Sequence, residues 1–371
     1  MQHLYIHVPF CQRRCSYCDF SIAVRKRIPA RDFVDLILNE ARQVGFADLE
    51  TIYLGGGTPS LLPPEAISTL LHELTLLRRT PHAAREVTLE SNPEDVDVDS
   101  ARSWKAAGIN RVSLGAQSFD DTVLKWMHRS HDAAQTTRAV QALRNAGIEN
   151  ISLDLIFGLP EELKRNWERD LDMLCSLLPA HCSLYGLTVE PRTPLDRWIS
   201  RGATHAPDEE RYAEEYLFAH RRLTADGFVF YEVSNAARDG FRSQHNSAYW
   251  SGKAYVGLGP AAHSFDGTTR RWNLRAWEAY RRAVAEGRSA VEAEEELSDE
   301  QRETERIYLG LRTAEGLPLA AASPRRPSPP PLFAAQGWTF EADGRLKCTP
   351  EGWLRLDSIV AELTMHPETQ R

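Results

Sequence analysis

Three thiols carry the most specific chemistry in this sequence. Cys11, Cys15 and Cys18 form one C-x3-C-x2-C run, Cys11-Gln-Arg-Arg-Cys15-Ser-Tyr-Cys18, directly after an apolar stretch, Leu4–Val8. A loop with this spacing can wrap three thiolates around one corner of an iron–sulfur cube. A [4Fe–4S] centre normally takes four thiolates, so three leave one iron open to chelate a substrate. Arg13 and Arg14 add positive charge beside a negative cluster. The competing reading is a structural zinc with His7 or His3 as fourth ligand. Zinc motifs more often use paired C-x2-C units, and no second pair exists here, so the spacing favours iron and sulfur. Cys175, Cys182 and Cys348 are scattered and read as small apolar residues.

Other polar groups interrupt apolar runs. Gly55-Gly56-Gly57-Thr58-Pro59 follows the second run, where glycines let the backbone approach a ligand or simply turn. Glu90, Gln117 and Asp154 sit in or beside later runs, and Arg129 lies in the segment after the fourth. A buried, unpaired carboxylate costs several kcal/mol, so these groups should meet either a ligand or one another. Further on, His245-Asn-Ser-Ala-Tyr249-Trp250 lies in a stretch read as loop. If locally helical, it would put His245 and Tyr249 on one face. Imidazole is a standard haem-iron ligand, and Tyr249 and Trp250 offer flat surface for a porphyrin; an aromatic cluster with a hydrogen-bonded histidine is the alternative. His128, His131 and His263 read as structural or exposed.

The elements around these residues follow a simple order. Short β-rich runs at Leu4–Val8, Thr51–Leu54, Glu86–Glu90, Arg111–Ala116, Ile151–Ile156 and Ser183–Leu187 alternate with amphipathic helical stretches. The helices are Arg31–Val44, Pro64–Leu77, Ser100–Ala107, Ala133–Ala146 and Glu161–Leu177. This alternation predicts an α/β fold with a parallel sheet, and six units predict a partial (β/α)6 TIM-like barrel with its chemistry on the βα loops. Past Pro194 the sequence predicts helices at Asp208–Ala225, Trp272–Glu286 and Ser298–Arg312, a strand at Phe228–Val233, and loop through 255–265. Ser323–Pro331 reads as a linker. A hairpin turning at Asp343–Gly344 and a helix at Pro350–Leu363 suggest a smaller C-terminal α+β domain of winged-helix type. The expected divisions are a barrel at 1–195, an extension carrying the His245 motif at 196–290, and a C-terminal domain at 291–371.

Composition narrows the classes. In 371 residues, 42% hydrophobic and 26% charged, there is a sizeable core and no disorder signature. A formal charge of −8 argues against a nucleic-acid-binding surface. No apolar run reaches the ~18 residues of a membrane span. Six cysteines are too few for a disulfide scaffold. The N-terminus lacks the features of a secretory signal, which predicts the cytoplasm, with peripheral membrane contact left open.

The cysteine run at the end of a first strand, followed by six β/α units, resembles the radical S-adenosylmethionine (SAM) superfamily. Tyr5-Ile-His-Val-Pro-Phe-Cys11 and Cys18-Asp19-Phe20 resemble its coproporphyrinogen III oxidase-like branch, and within it HemW-type haem chaperones. The resemblance implies a [4Fe–4S] cluster on Cys11, Cys15 and Cys18. It also implies SAM held by Gly56, Gly57, Thr58, Glu90, Gln117, Arg129 and Asp154, with Tyr5 toward the cluster and Tyr17 and Phe20 near adenine. His-Asn-x-x-Tyr-Trp resembles the haem motif of those chaperones, with His245 as ligand and Tyr249 and Trp250 beside it. The function implied is haem delivery to recipient haemoproteins, with a flavodoxin or ferredoxin as electron donor and a homodimer among the partners. The alternatives are an oxygen-independent coproporphyrinogen III oxidase, which decarboxylates propionates by radical chemistry, and a non-catalytic metal protein. True oxidases extend the run to C-x3-C-x2-C-x-C and carry an N-terminal extension. This chain has Phe20 at the last cysteine position and few residues before its first strand, which favours the chaperone.

Overall fold

The computed structural model describes residues 1–45, 48–77, 84–319 and 331–364. Six strands, β1 (His3–Val8), β2 (Thr51–Gly56), β3 (Glu86–Ser91), β4 (Arg111–Gln117), β5 (Asn150–Phe157) and β6 (His181–Gly186), pair in that order and all in parallel. Helices Ala30–Val44, Pro64–Leu76, Val98–Ala106, Ala133–Asn145 and Trp167–Ser176 alternate with them. Strands covered by helices bury both faces and therefore read as continuous apolar runs. In β1, Leu4, Ile6 and Val8 are fully buried, and His3 and His7 are buried as well. Two of these helices start on acidic caps: Asp97 and Asp132 each accept from a backbone N–H three residues on. The partial (β/α)6 TIM-like barrel is thus the architecture observed.

The sheet continues past both ends of this barrel. Strands β7 (Val229–Glu232) and β8 (Asn235–Ala237) add antiparallel beyond β6, with β8 against β6. On the other side β9 (Tyr255–Leu258) runs parallel to β1, followed by antiparallel β10 (His263–Phe265), β11 (Thr269–Asn273) and β12 (Val291–Glu296). The full order is β12-β11-β10-β9-β1-β2-β3-β4-β5-β6-β8-β7.

Several expectations need correcting here. The loop expected through 255–265 is two strands, because a four-residue parallel strand interrupted by Gly257 carries no periodic signal. The helix expected from Trp272 begins at Trp277, since Trp272 belongs to β11. Strand β12, Val-Glu-Ala-Glu-Glu-Glu, has no apolar alternation; cross-strand charge supports it, with Arg271 opposite Glu294 and their side chains 3.2 Å apart. His245 lies not in a loop but on a helix, Gln244–Trp250, whose cap Ser243 accepts from the Asn246 N–H at 3.2 Å.

Toward the C-terminus, strands Leu317–Pro318, Thr339–Ala342 and Arg345–Cys348 form a small antiparallel sheet beside helix Asp299–Arg312. Asp343 and Gly344 both take positive φ, 53° and 69°, as an Asp-Gly hairpin turn requires. The single helix expected at Pro350–Leu363 is two, Pro350–Trp353 and Leu356–Thr364. Of the expected linker, 323–330 lies outside the described residues, and Pro331 opens a short helix, Pro331–Ala335. No described helix is long and apolar enough to cross a membrane.

One buried cation ties the loop after β5 to the outer helices. Arg165 donates to the Ile156 carbonyl at 2.8 Å, pairs with Glu215, and lies 3.7 Å from Asp170 and 4.4 Å above the Trp167 ring. Asp170 in turn accepts from Ser118 Oγ and the Phe119 N–H, each at 2.8 Å.

Candidate functional site

The three thiols sit on the loop leaving β1, at the C-terminal rim of the sheet. Backbone bonds fix the loop: Arg25 N–H to the Cys11 carbonyl (2.9 Å), Ser16 N–H to the Met127 carbonyl (3.1 Å) and Leu195 N–H to the Ser16 carbonyl (2.9 Å). All three are free thiols. Cys11 Sγ lies 3.4 Å from Thr58 Oγ1, and Arg129 Nη1 donates to Cys15 Sγ at 3.5 Å. Among the described residues no three His, Cys, Asp or Glu side chains converge closely enough to hold a single metal ion. The histidines a zinc site would need are engaged elsewhere. His7 bonds Tyr5 Oη and the Ser21 carbonyl (3.1 and 2.9 Å), and His3 bonds Thr51 Oγ1 (3.0 Å). The thiol trio therefore suits a larger inorganic group that takes one thiolate per metal atom.

Beside the thiols is a cavity of about 420 Å³. It gathers Tyr17, Phe20, Gly56, Gly57, Thr58, Glu90, Gln117, Arg129 and Asp154 with the three cysteines. Tyr5 lines a second cavity instead. The glycines are dictated by space. Gly56 has φ +112°, and a Cβ there would stand 2.6 Å from the His7 ring; a Cβ on Gly57 would stand 2.8 Å from the Phe10 carbonyl oxygen.

Each polar group has a defined setting. Glu90 accepts from the Gly56 N–H (2.9 Å) and the Tyr53 hydroxyl (2.8 Å). Asp154 accepts from Ser113 and Ser152 hydroxyls at 3.0 Å, and burial pushes its pKa up. Arg129 donates through Nη2 to Asn92 Oδ1 (2.5 Å) and the Gly115 carbonyl (3.0 Å), while its buried Nε has no protein partner. An orphaned guanidinium donor of this kind suits a carboxylate-bearing ligand. Gln117 takes φ +64° at an irregularity in the pairing of β4 with β5, which turns the chain at the rim. Tyr53, Asn92 and Ser113 escape sequence reasoning because each reads as an ordinary strand or turn residue.

Burial raises the Glu90 pKa from 4.5 to about 7. A raised acid favours the folded state most below the lower value, and that contribution fades as pH climbs through 7. In ligand-free protein, Glu90→Gln should flatten this part of the stability curve between pH 4.5 and 7, read by urea denaturation. An unchanged curve would clear Glu90 of the effect.

The second cavity, about 860 Å³, lies between β1, β9–β11 and helix Gln244–Trp250. Tyr249, Trp250, Tyr255, Phe265 and Trp272 supply its aromatic walls. It shares Asp19, Phe20, Gly56 and Glu90 with the first cavity, and Phe20 is 61% exposed on that common wall. Tyr249 and Trp250 thus face a space of porphyrin scale, but His245 does not line it. His245 is 1% exposed, and both ring nitrogens are taken: Nδ1 by Thr51 Oγ1 (2.7 Å) and Nε2 by Tyr249 Oη (2.8 Å). Burial lowers its pKa to about 3. The imidazole expected to reach iron directly is instead held behind Tyr249. His131 is likewise buried, bonded to the Ala116 carbonyl and 3.3 Å from Glu94.

A fold of this kind with such a rim defines a radical SAM protein. The model of the radical SAM superfamily matches residues 5–174. Heme chaperone HemW of Bacillus subtilis is 34% identical over 321 residues, 85% of each chain, and that of Mycobacterium tuberculosis is 36% identical over 368 residues, 97% of this chain and 94% of the relative. The chain belongs to the HemW family within that superfamily. Among solved structures, coproporphyrinogen III oxidase (HemN) from Escherichia coli, a radical SAM enzyme, superposes with a TM-score of 0.82 over 98% of this chain and 90% of its own, at 22% identity. That likeness shows the shared fold. Membership of the superfamily implies a [4Fe–4S] cluster and SAM.

Proposed function

We propose that this chain is a [4Fe–4S]- and SAM-binding haem chaperone that carries haem and hands it to recipient haemoproteins in the cytoplasm. The observation that carries the reading is the pair of adjoining cavities with one common wall, thiol-lined on one side and aromatic on the other. Cys11, Cys15 and Cys18 would hold the cluster. When bound, it supplies an electron and an open iron site for the amine and carboxylate of SAM. Arg129 Nε would take the ligand carboxylate, Asp154 would accept from ribose hydroxyls, and Glu90 with Gly56–Thr58 would seat the amino end. Tyr17 and Phe20 would flank the adenine. The aromatic cavity would hold haem against Tyr249 and Trp250. A flavodoxin or ferredoxin would serve as reductant.

The names of the relatives and the departure at Phe20 support the chaperone over an oxidase. One anaerobically reconstituted sample tests both. Haemin titration should give a saturable Soret band, the haem should transfer to an apo-haemoprotein, and coproporphyrinogen III with SAM should stay unconverted. Decarboxylation without haem uptake would replace this reading with the oxidase.

A further inference from the structure

Trp250 closes helix Gln244–Trp250 and is the bulkiest side chain that helix gives to the aromatic cavity. Its half-buried ring has an N–H that is shut off from solvent and bonds no acceptor among the described residues. No hydrogen bond therefore orients the indole. Tyr249 meets it edge-on with ring centroids 6.5 Å apart, near the long end for an aromatic pair. Its close neighbour is a cation: the Arg312 guanidinium carbon stands 4.2 Å from the ring centroid. Arg312 lines neither the aromatic cavity nor the thiol cavity, so it backs the ring from outside that space. Arg270 also stands over a wall ring, Phe265 at 5.8 Å, but Arg270 lines the cavity itself and is paired with Glu305.

Arg312 is in turn anchored. Its Nη2 lies 2.8 Å from Glu232 Oε2 and 3.4 Å from Ser234 Oγ. The Glu232 side chain is fully buried, so solvent screens the pair little. The backbone sews this helix end to β7: the Val233 N–H donates to the Arg312 carbonyl at 3.1 Å, and the Ala314 N–H to the Tyr231 carbonyl at 3.0 Å. Helix Asp299–Arg312 also gives Glu305 and Leu309 to the cavity wall, so positions 305, 309 and 312 follow one helix face. Ile307 and Leu311 are buried, and the Leu311 carbonyl accepts from Trp353 Nε1 at 3.0 Å.

Resting on the chaperone reading, we infer that Arg312 is a positioning residue for haem: held by Glu232, it fixes the Trp250 indole as a preformed wall of the porphyrin cavity. Tryptophan gives the strongest cation–π contact among the aromatic side chains, and removal from water strengthens it. A ring set in place before haem arrives spares binding the cost of ordering that side chain. The cavity is thereby built from two helices, Gln244–Trp250 supplying the ring and Asp299–Arg312 its support.

The full chain, labelled with fluorotryptophan and cluster-reconstituted without oxygen, tests this by fluorine NMR and haemin titration. Of the nine tryptophan signals, the one missing from Trp250→Phe belongs to Trp250. The double variant Arg312→Met with Glu232→Gln removes both charges, so neither is left buried alone. In that variant, free of haem, the Trp250 signal should shift and broaden while those of Trp104 and Trp277 stay. Its haemin affinity should fall about 2–10-fold, the cost of ordering one side chain on binding. Arg312→Lys keeps a cation near the ring but not the fork, and should fall between wild type and the double variant. Iron content and circular dichroism equal to wild type would show that the variants fold; should the double variant fail that check, Arg312→Lys decides alone. An unmoved Trp250 signal, or a moved one with wild-type haemin affinity, would overturn the inference while leaving the chaperone standing. A wild-type chain that takes up no haemin would sink the chaperone reading itself.

Discussion

Replacing Cys15 with alanine should empty the protein of its iron. The wild type, reconstituted with iron and sulfide under anaerobic conditions, should hold about four irons per chain. A site with three protein thiolates has none in reserve, so losing one leaves two, too few to retain a cube. Cys15 is the cleanest position. Cys11 is 8% exposed and packs beside Thr58, whereas Cys15 is only partly buried and touches Arg129 at the long distance of 3.5 Å. Its truncation should therefore cost little stability. Iron and sulfide analysis with visible absorption reads the result. Cys175→Ala, in the core at 5% exposure, is the control and should keep its iron. Full iron in Cys15→Ala would refute the three-thiolate assignment.

The second large effect is on stability. Arg165→Leu should cost about 3 kcal/mol, the lower end of the range for removing one partner of a buried ion pair. The guanidinium side chain is fully buried, against Glu215 at 9% and Asp170 at 2%. Burial raises the Asp170 pKa, so the carboxylate depends on its partners to stay charged. The loss stays at the lower end because each acid keeps other donors: Glu215 has Arg211 at 3.0 Å and the Gly158 N–H at 2.7 Å, and Asp170 has Ser118 and Phe119. Urea denaturation measures it. Adding Glu215→Met should recover part of the loss, since removing both charges removes the uncompensated one. A single variant as stable as wild type would show that the pair contributes nothing.

The barrel was legible because burial on two faces writes itself into the sequence. Runs such as Leu4–Val8 and Ile151–Ile156 are mostly apolar; of the charged residues in the six runs, Glu90 and Asp154 line the cavity, whereas Glu86 and Arg111 are buried away from it. The cysteine spacing was local and needed no fold. What stayed hidden depends on pairing across long separations. Tyr255–Leu258 is too short and too broken by glycine to announce a strand, yet it lies next to β1. Val291–Glu296 pairs along Thr269–Asn273, where Arg270 and Arg271 stand opposite its acids. The His245 motif was visible as a motif, but periodicity says which residues share a face and not which of them faces a cavity. That depended on Thr51, a residue 194 positions away in the sequence, claiming the ring nitrogen.

The strand that launches the thiol loop has neighbours made at very different times. β2 is complete at Gly56, but the other edge of β1 pairs with a segment ending at Leu258. A ribosome adding ~5–20 residues per second needs roughly 10–40 s to bridge that gap. Through that interval the nascent chain carries three reactive sulfurs on a half-paired edge, exposed to oxidants and to stray metals. Metallocluster loading thus belongs to the end of translation or later, when the returning strand has locked the first one in place.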